Sequence, residues 1–197
     1  MNLPNKITMF RVILIPFFVF FMLSEGIPYN NYIAAAIFIV ASLTDMLDGK
    51  IARKYNLVSN FGKFMDPLAD KLLVCSALIC FVAIPSGPMP AWVVIVIMSR
   101  EFIISGFRLV ASDAGVVIAA SYWGKIKTVV QMLMSILLIF NFEGSVINIV
   151  ENVFIYAAVI LTVISLIDYM VKNWNVMQDG NCLLYTSDAA DEARSVD

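Results

Sequence analysis

The feature that most constrains the fold is a series of six long apolar segments. Each is close to the roughly 20 residues that an α-helix needs to cross a bilayer. Turn-forming residues separate them, such as Gly26 and Pro28 after the first segment and Gly144 before the last. The segments lie near 8–24, 31–49, 64–84, 91–110, 125–141 and 150–171. This pattern predicts an all-α, polytopic membrane protein with six transmembrane helices.

The composition and the placement of charge agree with a membrane environment. Only 14% of the 197 residues are charged, whereas about a quarter are charged in an average soluble domain. Lys and Arg lie at one set of segment ends, while the opposite loops hold Glu25, Glu143 and Glu151. By the positive-inside rule, both termini face the cytoplasm. We expect a multi-pass protein of a bacterial cytoplasmic membrane.

Several charged residues lie within the apolar segments or at their edges, mostly on the cytoplasmic half. Such residues are costly in hydrocarbon and usually face the bundle interior or a wet cavity. We therefore expect one polar cavity, and an active site, open to the cytoplasm. The chain has no histidine, so proton transfer would fall to a carboxylate, Lys, Tyr or Cys. The charged residues are Asp45, Asp48, Asp66, Asp70, Lys71, Arg100, Glu101, Arg108 and Asp168.

Four of these residues are aspartates on two consecutive segments: Asp45 and Asp48, then Asp66 and Asp70. Helical spacing places each pair on one face, and the short connection makes the two helices antiparallel neighbours. Four uncompensated carboxylates cannot share a low-dielectric site, so some are protonated or cations lie among them. An all-oxygen ligand set favours one or two ions of Mg²⁺ or Mn²⁺, which commonly bridge carboxylates and substrate phosphates.

Residues around the aspartates suit a phosphate-bearing ligand, but other uses are open. Gly49 and Gly62 let a base or a phosphate approach the backbone, and glycines also serve helix packing in membranes. Arg53 is placed to hold a phosphate with its forked guanidinium. Asp66 before Pro67 is also a typical helix N-cap, which does not exclude metal binding. The aspartates could instead line the ion path of a divalent-cation transporter.

This stretch resembles the signature of the CDP-alcohol phosphotransferase family. It reads DGKIAR at 48–53, then eight residues, then GKFMDPLAD at 62–70. The resemblance covers about residues 1–175. The matching positions are Asp45, Asp48, Gly49, Ala52, Arg53, Gly62, Asp66 and Asp70.

The resemblance implies a fold, a reaction and a role for each matching residue. It implies a six-helix fold, usually a homodimer, that transfers the phosphatidyl group of CDP-diacylglycerol to an alcohol and releases CMP. The four aspartates would bind divalent metal, and Asp70 would also take the proton from the acceptor hydroxyl. The residues that would contact the CDP part are Gly49, Ala52, Arg53 and Gly62.

Softer patterns favour glycerol 3-phosphate as the acceptor alcohol. They are similar to segments of the family members that use this acceptor, and they read PNKITMFR at 4–11, SRE at 99–101, GFR at 106–108 and WGKIKT at 123–128. The basic residues among them favour a phosphorylated acceptor over serine. Inositol phosphate is the rival acceptor.

The acceptor phosphate needs cations on the protein. We expect Arg108, Lys125 and Lys127 to hold it, with Arg100 either helping or paired with Glu101. The lysines could instead only set the topology, and Arg108 could extend toward lipid headgroups.

A polar lip at the cavity mouth could be formed by Asn5, Thr8 and Arg11 near the start of the chain. Arg11 is also a candidate interfacial anchor.

The end of the chain, 176–197, has a different character. It is polar and lacks helical periodicity, so we expect it to be disordered. The run CLLYTSDAADE at 182–192 resembles a translated sequencing adapter, which predicts a non-native tail. The functional domain is therefore expected to span 1–175, with lipid and phosphorylated substrates as partners and no nucleic acid.

Overall fold

A computed structural model of the chain describes residues 3–24, 26–54, 60–84, 87–113, 118 and 121–174. The description covers the backbone but not the side chains at 3–4, 45–54, 60–64, 66–67, 70 and 113. The predicted tail, 176–197, lies outside the described residues.

The described residues form six α-helices and no strand, which confirms the all-α prediction. Each helix coincides with one predicted apolar segment. The helices are α1 Leu3–Leu23, α2 Asn30–Lys54, α3 Asn60–Ala83, α4 Ala91–Asp113, α5 Tyr122–Phe140 and α6 Ser145–Lys172.

Several helices extend beyond the apolar segments from which they were predicted. α2 continues to Lys54, and its 25 residues span about 37 Å, more than the roughly 30 Å of a hydrocarbon core. A helix ends where its backbone is capped, whereas an apolar segment marks only the part in contact with lipid. α5, for example, begins after Ser121, whose Oγ accepts a hydrogen bond from Gly124 N at 3.1 Å. It ends at Asn141, which has a left-handed backbone conformation.

The helices pack in two connected groups. α1 lies against α2 and α3, while α5 packs on α6 and also contacts α2; α4 packs mainly on α6. Phe18 of α1 and Phe38 of α2 meet in the core, with ring centroids 5.7 Å apart. Ala34, Ala35 and Ala41 of α2 are buried in the same core. Small residues of this kind let helix backbones approach closely.

Large apolar side chains cover much of the outer surface. On α6, exposed residues recur every three or four positions, as at Val146, Ile149, Val153, Tyr156 and Ile160. Among the described residues, three helices are long and apolar enough to cross a membrane: Asn5–Leu23, Tyr122–Phe140 and Ser145–Lys172. An apolar exterior with spanning helices is typical of a membrane protein.

The remaining three helices carry more charge or have shorter described apolar parts. Any stretch of 18 residues within α4 contains the three charged residues Arg100, Glu101 and Arg108. The described apolar parts of α2 and α3 are the shorter runs Asn30–Thr44 and Lys71–Ala83. The six-span topology therefore stays a prediction.

Replacing Ala34 by Leu is expected to lower the thermal unfolding midpoint of the detergent-solubilised protein. Ala34 is fully buried, and forcing a larger side chain into a packed core costs about 1–3 kcal/mol. Ala36→Leu is the matched control, because Ala36 lies on the same helix and is exposed. Equal melting shifts in both variants would contradict the packing described for α2.

Candidate active site

The predicted metal site falls on two helices that contact each other. The backbone is helical at Asp45 and Asp48 of α2 and at Asp66 and Asp70 of α3, and α2 contacts α3. One-turn spacing along each helix is therefore present, and an all-carboxylate donor set suits a hard divalent cation.

The side chains of the eight signature residues lie outside the described part of the chain. The positions concerned are Asp45, Asp48, Gly49, Ala52, Arg53, Gly62, Asp66 and Asp70. Among the residues whose side chains are described, no group of three potential ligands is suited to a metal ion. Metal binding, CDP contacts and the role of Asp70 as a base stay predictions.

A buried ion-pair cluster joins α4 and α5. Glu101 Oε1 accepts a hydrogen bond from Arg100 Nη1 at 3.3 Å and another from Lys127 Nζ. Arg100 and Lys127 are both buried, and Lys127 is only 1% exposed. The sequence leaves two roles open for Arg100, helping to hold the acceptor phosphate or pairing with Glu101. In the structure, Arg100 pairs with Glu101. Buried charges of this kind persist only when they are paired and hydrogen-bonded.

Arg100 also lies against Ser165 of α6 and Gly124 of α5. Its Nε donates a hydrogen bond to Ser165 Oγ of α6 at 3.1 Å, and Ser165 Oγ in turn donates to Thr162 O at 3.0 Å. On α5, a Cβ added at Gly124 would lie 3.2 Å from Arg100 Nη2. Glycine therefore allows the N-terminal turn of α5 to lie directly against the guanidinium.

A cavity of ≈ 50 Å³ lies beside this cluster, between α3, α4 and α5. This is room for roughly three or four water molecules. Lys71, Glu101 and Lys127 contribute charged groups to its wall, and Val74, Leu78 and Met98 contribute apolar ones. Lys71 follows Asp70 in the chain, so the cavity adjoins the turn of α3 that carries two of the signature aspartates.

The same cavity wall includes two buried polar groups on α5. Gln131 Oε1 and Ser135 Oγ are buried and have no hydrogen-bond partner within the described part of the chain. Lys127, Gln131 and Ser135 recur every four residues, which places them along one side of the helix. This stripe adds polar groups from α5 to the cavity wall.

The other two predicted acceptor cations, Arg108 and Lys125, do not line the cavity. The Arg108 guanidinium lies 5.6 Å from the ring centroid of Tyr169 on α6, a cation–π contact. Phe107 contacts the same ring edge-on. Lys125 is exposed, because two residues of separation place it about 200° around α5 from Lys127. Of the four predicted cations, only Lys127 lines the cavity.

The predicted lip residues are buried rather than exposed. Asn5, Thr8 and Arg11 are at most 6% exposed, and Arg11 is fully buried. They lie on α1, which packs on α2 and α3. A buried guanidinium does not serve as an interfacial anchor, so that alternative for Arg11 does not hold. The lip itself stays a prediction.

Several residues of this region were not assigned a role from the sequence. They are Gln131 and Ser135 on α5, and Ser165 and Tyr169 on α6; Tyr169 is 1% exposed. The sequence signal that could have identified them is their spacing along each helix. Polar residues at positions three or four apart in an otherwise apolar helix mark a face turned toward the protein interior.

Replacing Lys127 by Met is expected to lower the unfolding midpoint, because the ion pair with Glu101 is lost. Removing one partner of a buried ion pair costs about 3–5 kcal/mol, and the remaining bond of Glu101 to Arg100 reduces this cost. Lys125→Met makes the same change two residues away at an exposed position, so it is the control. A midpoint unchanged in Lys127→Met would contradict a stabilising role of this pair.

Comparison with known proteins agrees with the signature. The family model described as CDP-alcohol phosphatidyltransferase matches residues 1–164. A Bacillus subtilis protein named CDP-diacylglycerol–glycerol-3-phosphate 3-phosphatidyltransferase is 46% identical over 193 residues, covering 91% of this chain and 99% of its own. A Haemophilus influenzae protein of the same name is 40% identical over 176 residues, covering 86% and 91%. A probable phosphatidylglycerophosphate synthase of Mycobacterium tuberculosis is 37% identical over 173 residues, covering 87% and 81%. The chain belongs to the CDP-alcohol phosphatidyltransferase family.

Proposed function

We propose that this protein transfers the phosphatidyl group of CDP-diacylglycerol to sn-glycerol 3-phosphate, giving phosphatidylglycerophosphate and CMP. The observation that carries the proposal is the similarity to relatives named for this reaction, which extends over 91% of the chain at 46% identity. The reaction class also follows from the complete aspartate signature between Asp45 and Asp70.

The cavity beside α3 supports a phosphorylated acceptor. Lys71 and Lys127 bring two cations to its wall, and Glu101 brings one carboxylate. Lysine side chains at the wall of a partly apolar cavity of this size are suited to a small anionic ligand. Gln131 Oε1 and Ser135 Oγ add groups that would accept hydrogen bonds from a hydroxylated ligand.

In the proposed reaction, the acceptor's primary hydroxyl attacks the phosphorus that carries diacylglycerol. The bond between that phosphorus and CMP breaks, and Asp70 takes the hydroxyl proton. Lys127 holds the acceptor phosphate, so the hydroxyl is presented to the aspartates in a fixed orientation. Mg²⁺ or Mn²⁺ held by the four aspartates would neutralise the diphosphate and the departing CMP. We further propose that the protein acts as a homodimer.

The proposed topology places the active site on the cytoplasmic side, because the lysines and arginines at the helix ends concentrate there. Cytoplasmic glycerol 3-phosphate would reach the site without crossing the membrane. The acyl chains of the lipid substrate would stay among the apolar outer surfaces of the helices.

Cysteine labelling in spheroplasts tests this topology. Tyr29 and Tyr122 are 76% and 71% exposed, and the proposed topology places them on opposite sides of the membrane. Cys75 and Cys80 are buried. In a Cys182→Ser background, Tyr29→Cys is expected to react with an impermeant maleimide. Tyr122→Cys is expected to react only after permeabilisation. The reverse labelling pattern would invert the topology.

Release of CMP by the purified protein tests the reaction and the acceptor. With CDP-diacylglycerol and Mg²⁺, we expect release with glycerol 3-phosphate but not with inositol phosphate, serine or no acceptor. Asp70→Asn is expected to reduce the rate by at least about a hundredfold, because the base is lost. Glu143→Gln is the control, because it makes the same carboxylate-to-amide change at an exposed position of the α5–α6 connection.

Two results would contradict the proposal. Release that depends on inositol phosphate would keep the reaction class and overturn the acceptor. Folded protein that releases no CMP with any acceptor would overturn the reaction itself.

A further inference from the structure

Glu101 lies between two buried cations, Arg100 and Lys127, and its role is not fixed by the aspartate signature. One oxygen, Oε1, accepts hydrogen bonds from both Arg100 and Lys127. The Glu101 side chain is 22% exposed, whereas the two cations are almost fully buried. It is also part of the cavity wall. The carboxylate therefore links a buried arginine to a lysine that lines the cavity.

The arginine end of this link is held firmly. Arg100 Nε donates to Ser165 Oγ at 3.1 Å, and the turn at Gly124 lies against Nη2. A planar guanidinium held at several donors keeps one orientation. The carboxylate bound to it is consequently held in place from α4, α5 and α6.

The lysine end is intrinsically flexible. A Lys side chain has four rotatable carbon–carbon bonds and ends in a compact ammonium that can donate in many directions. In this protein Glu101 defines one direction for Lys127 Nζ, beside the cavity wall. Burial alone does not define a position for a side chain with this many rotamers.

We infer that Glu101 is a positioning residue that holds the Lys127 ammonium where it binds the acceptor phosphate. The inference rests on the proposed function and extends it to a residue outside the metal signature. Glu101 does not touch the reacting atoms; it acts through Lys127.

Two physical effects of removing the Glu101 charge oppose each other. Neutralising the carboxylate leaves more net positive charge at the cavity, which by itself favours binding of a phosphate. Neutralising it also weakens the hydrogen bond that orients Lys127, which disfavours productive binding. If positioning dominates, the KM for the acceptor rises in Glu101→Gln although the site has become more positive.

Steady-state kinetics with each substrate varied in turn test this inference. Glu101→Gln is expected to raise the KM for glycerol 3-phosphate by about tenfold, with the KM for CDP-diacylglycerol changed by less than about twofold. Glu101→Asp keeps the charge and should recover part of the loss. Glu143→Gln makes the same chemical change at an exposed position of the α5–α6 connection and serves as the control.

A double-mutant cycle tests whether Glu101 acts through Lys127. In a Lys127→Met background, Glu101→Gln is expected to change the KM for glycerol 3-phosphate no further, because the ammonium it positions is absent. Independent effects that add would overturn the inference. Should Glu101→Gln fail to fold, the same cycle with Glu101→Asp decides.

The remaining outcomes are also decisive. An unchanged or lower KM for glycerol 3-phosphate in Glu101→Gln would show that charge outweighs position, and the inference would be wrong. A uniform loss of kcat without a KM difference between the two substrates would indicate a purely structural role and would also overturn it. A wild-type protein inactive with glycerol 3-phosphate would overturn the proposed function, and this inference with it.

Discussion

The arrangement of this protein depends on the cost of placing a charge among membrane helices. An ionised group in hydrocarbon has to find an opposite charge or hydrogen-bond partners within the bundle. Lys127 and Arg100 find theirs in one carboxylate, Glu101, and Arg100 gains a second partner in Ser165 of α6. These contacts connect α4 to α5 and α6. The need to compensate buried charges therefore also determines how these three helices pack. The same requirement applies to the fully buried Arg11 of α1, whose helix packs on those that carry the signature aspartates.

Because lipid is the solvent, polar side chains lie inside the bundle and apolar side chains cover its outer surface. Exposed positions of α6 such as Ile149, Val153 and Ile160 are apolar, whereas Thr162 and Ser165 of the same helix are buried and bonded to backbone carbonyls. Between membrane helices there is little hydrophobic driving force, so close packing and interhelical hydrogen bonds take over part of its role. The buried alanines of α2 allow close packing, and the bond from Arg100 to Ser165 is an interhelical hydrogen bond. The cavity beside Lys127 lies between α3, α4 and α5, and the bond from Lys127 to Glu101 joins two of these helices.

The fold class and the locations of the six helices could be predicted from the sequence, because apolar length and turn residues are local properties. The helix limits at Tyr122 and Ser145 could not, since capping and backbone hydrogen bonding decide them rather than hydropathy. The aspartate signature is equally local, and so is its family assignment. The positions of the acceptor cations are harder to predict, because Lys125 and Lys127 look equivalent in the sequence. Helical rotation exposes Lys125 and buries Lys127. The contacts of Arg100 with Ser165 and of Arg108 with Tyr169 join residues more than sixty positions apart. Only the packing of α4 on α6 creates them, and no periodicity within either helix specifies it.

The Glu101 cluster shows why stability and binding are in tension at such a site. Among the described contacts, one oxygen of Glu101 accepts hydrogen bonds from two buried cations, Arg100 and Lys127. A buried charge without compensation is unfavourable, so this carboxylate stabilises both cations in the folded protein. A phosphate bound as proposed would compete with the same carboxylate for the Lys127 ammonium. A contact that stabilises the fold therefore also limits how strongly this cation could bind an anion.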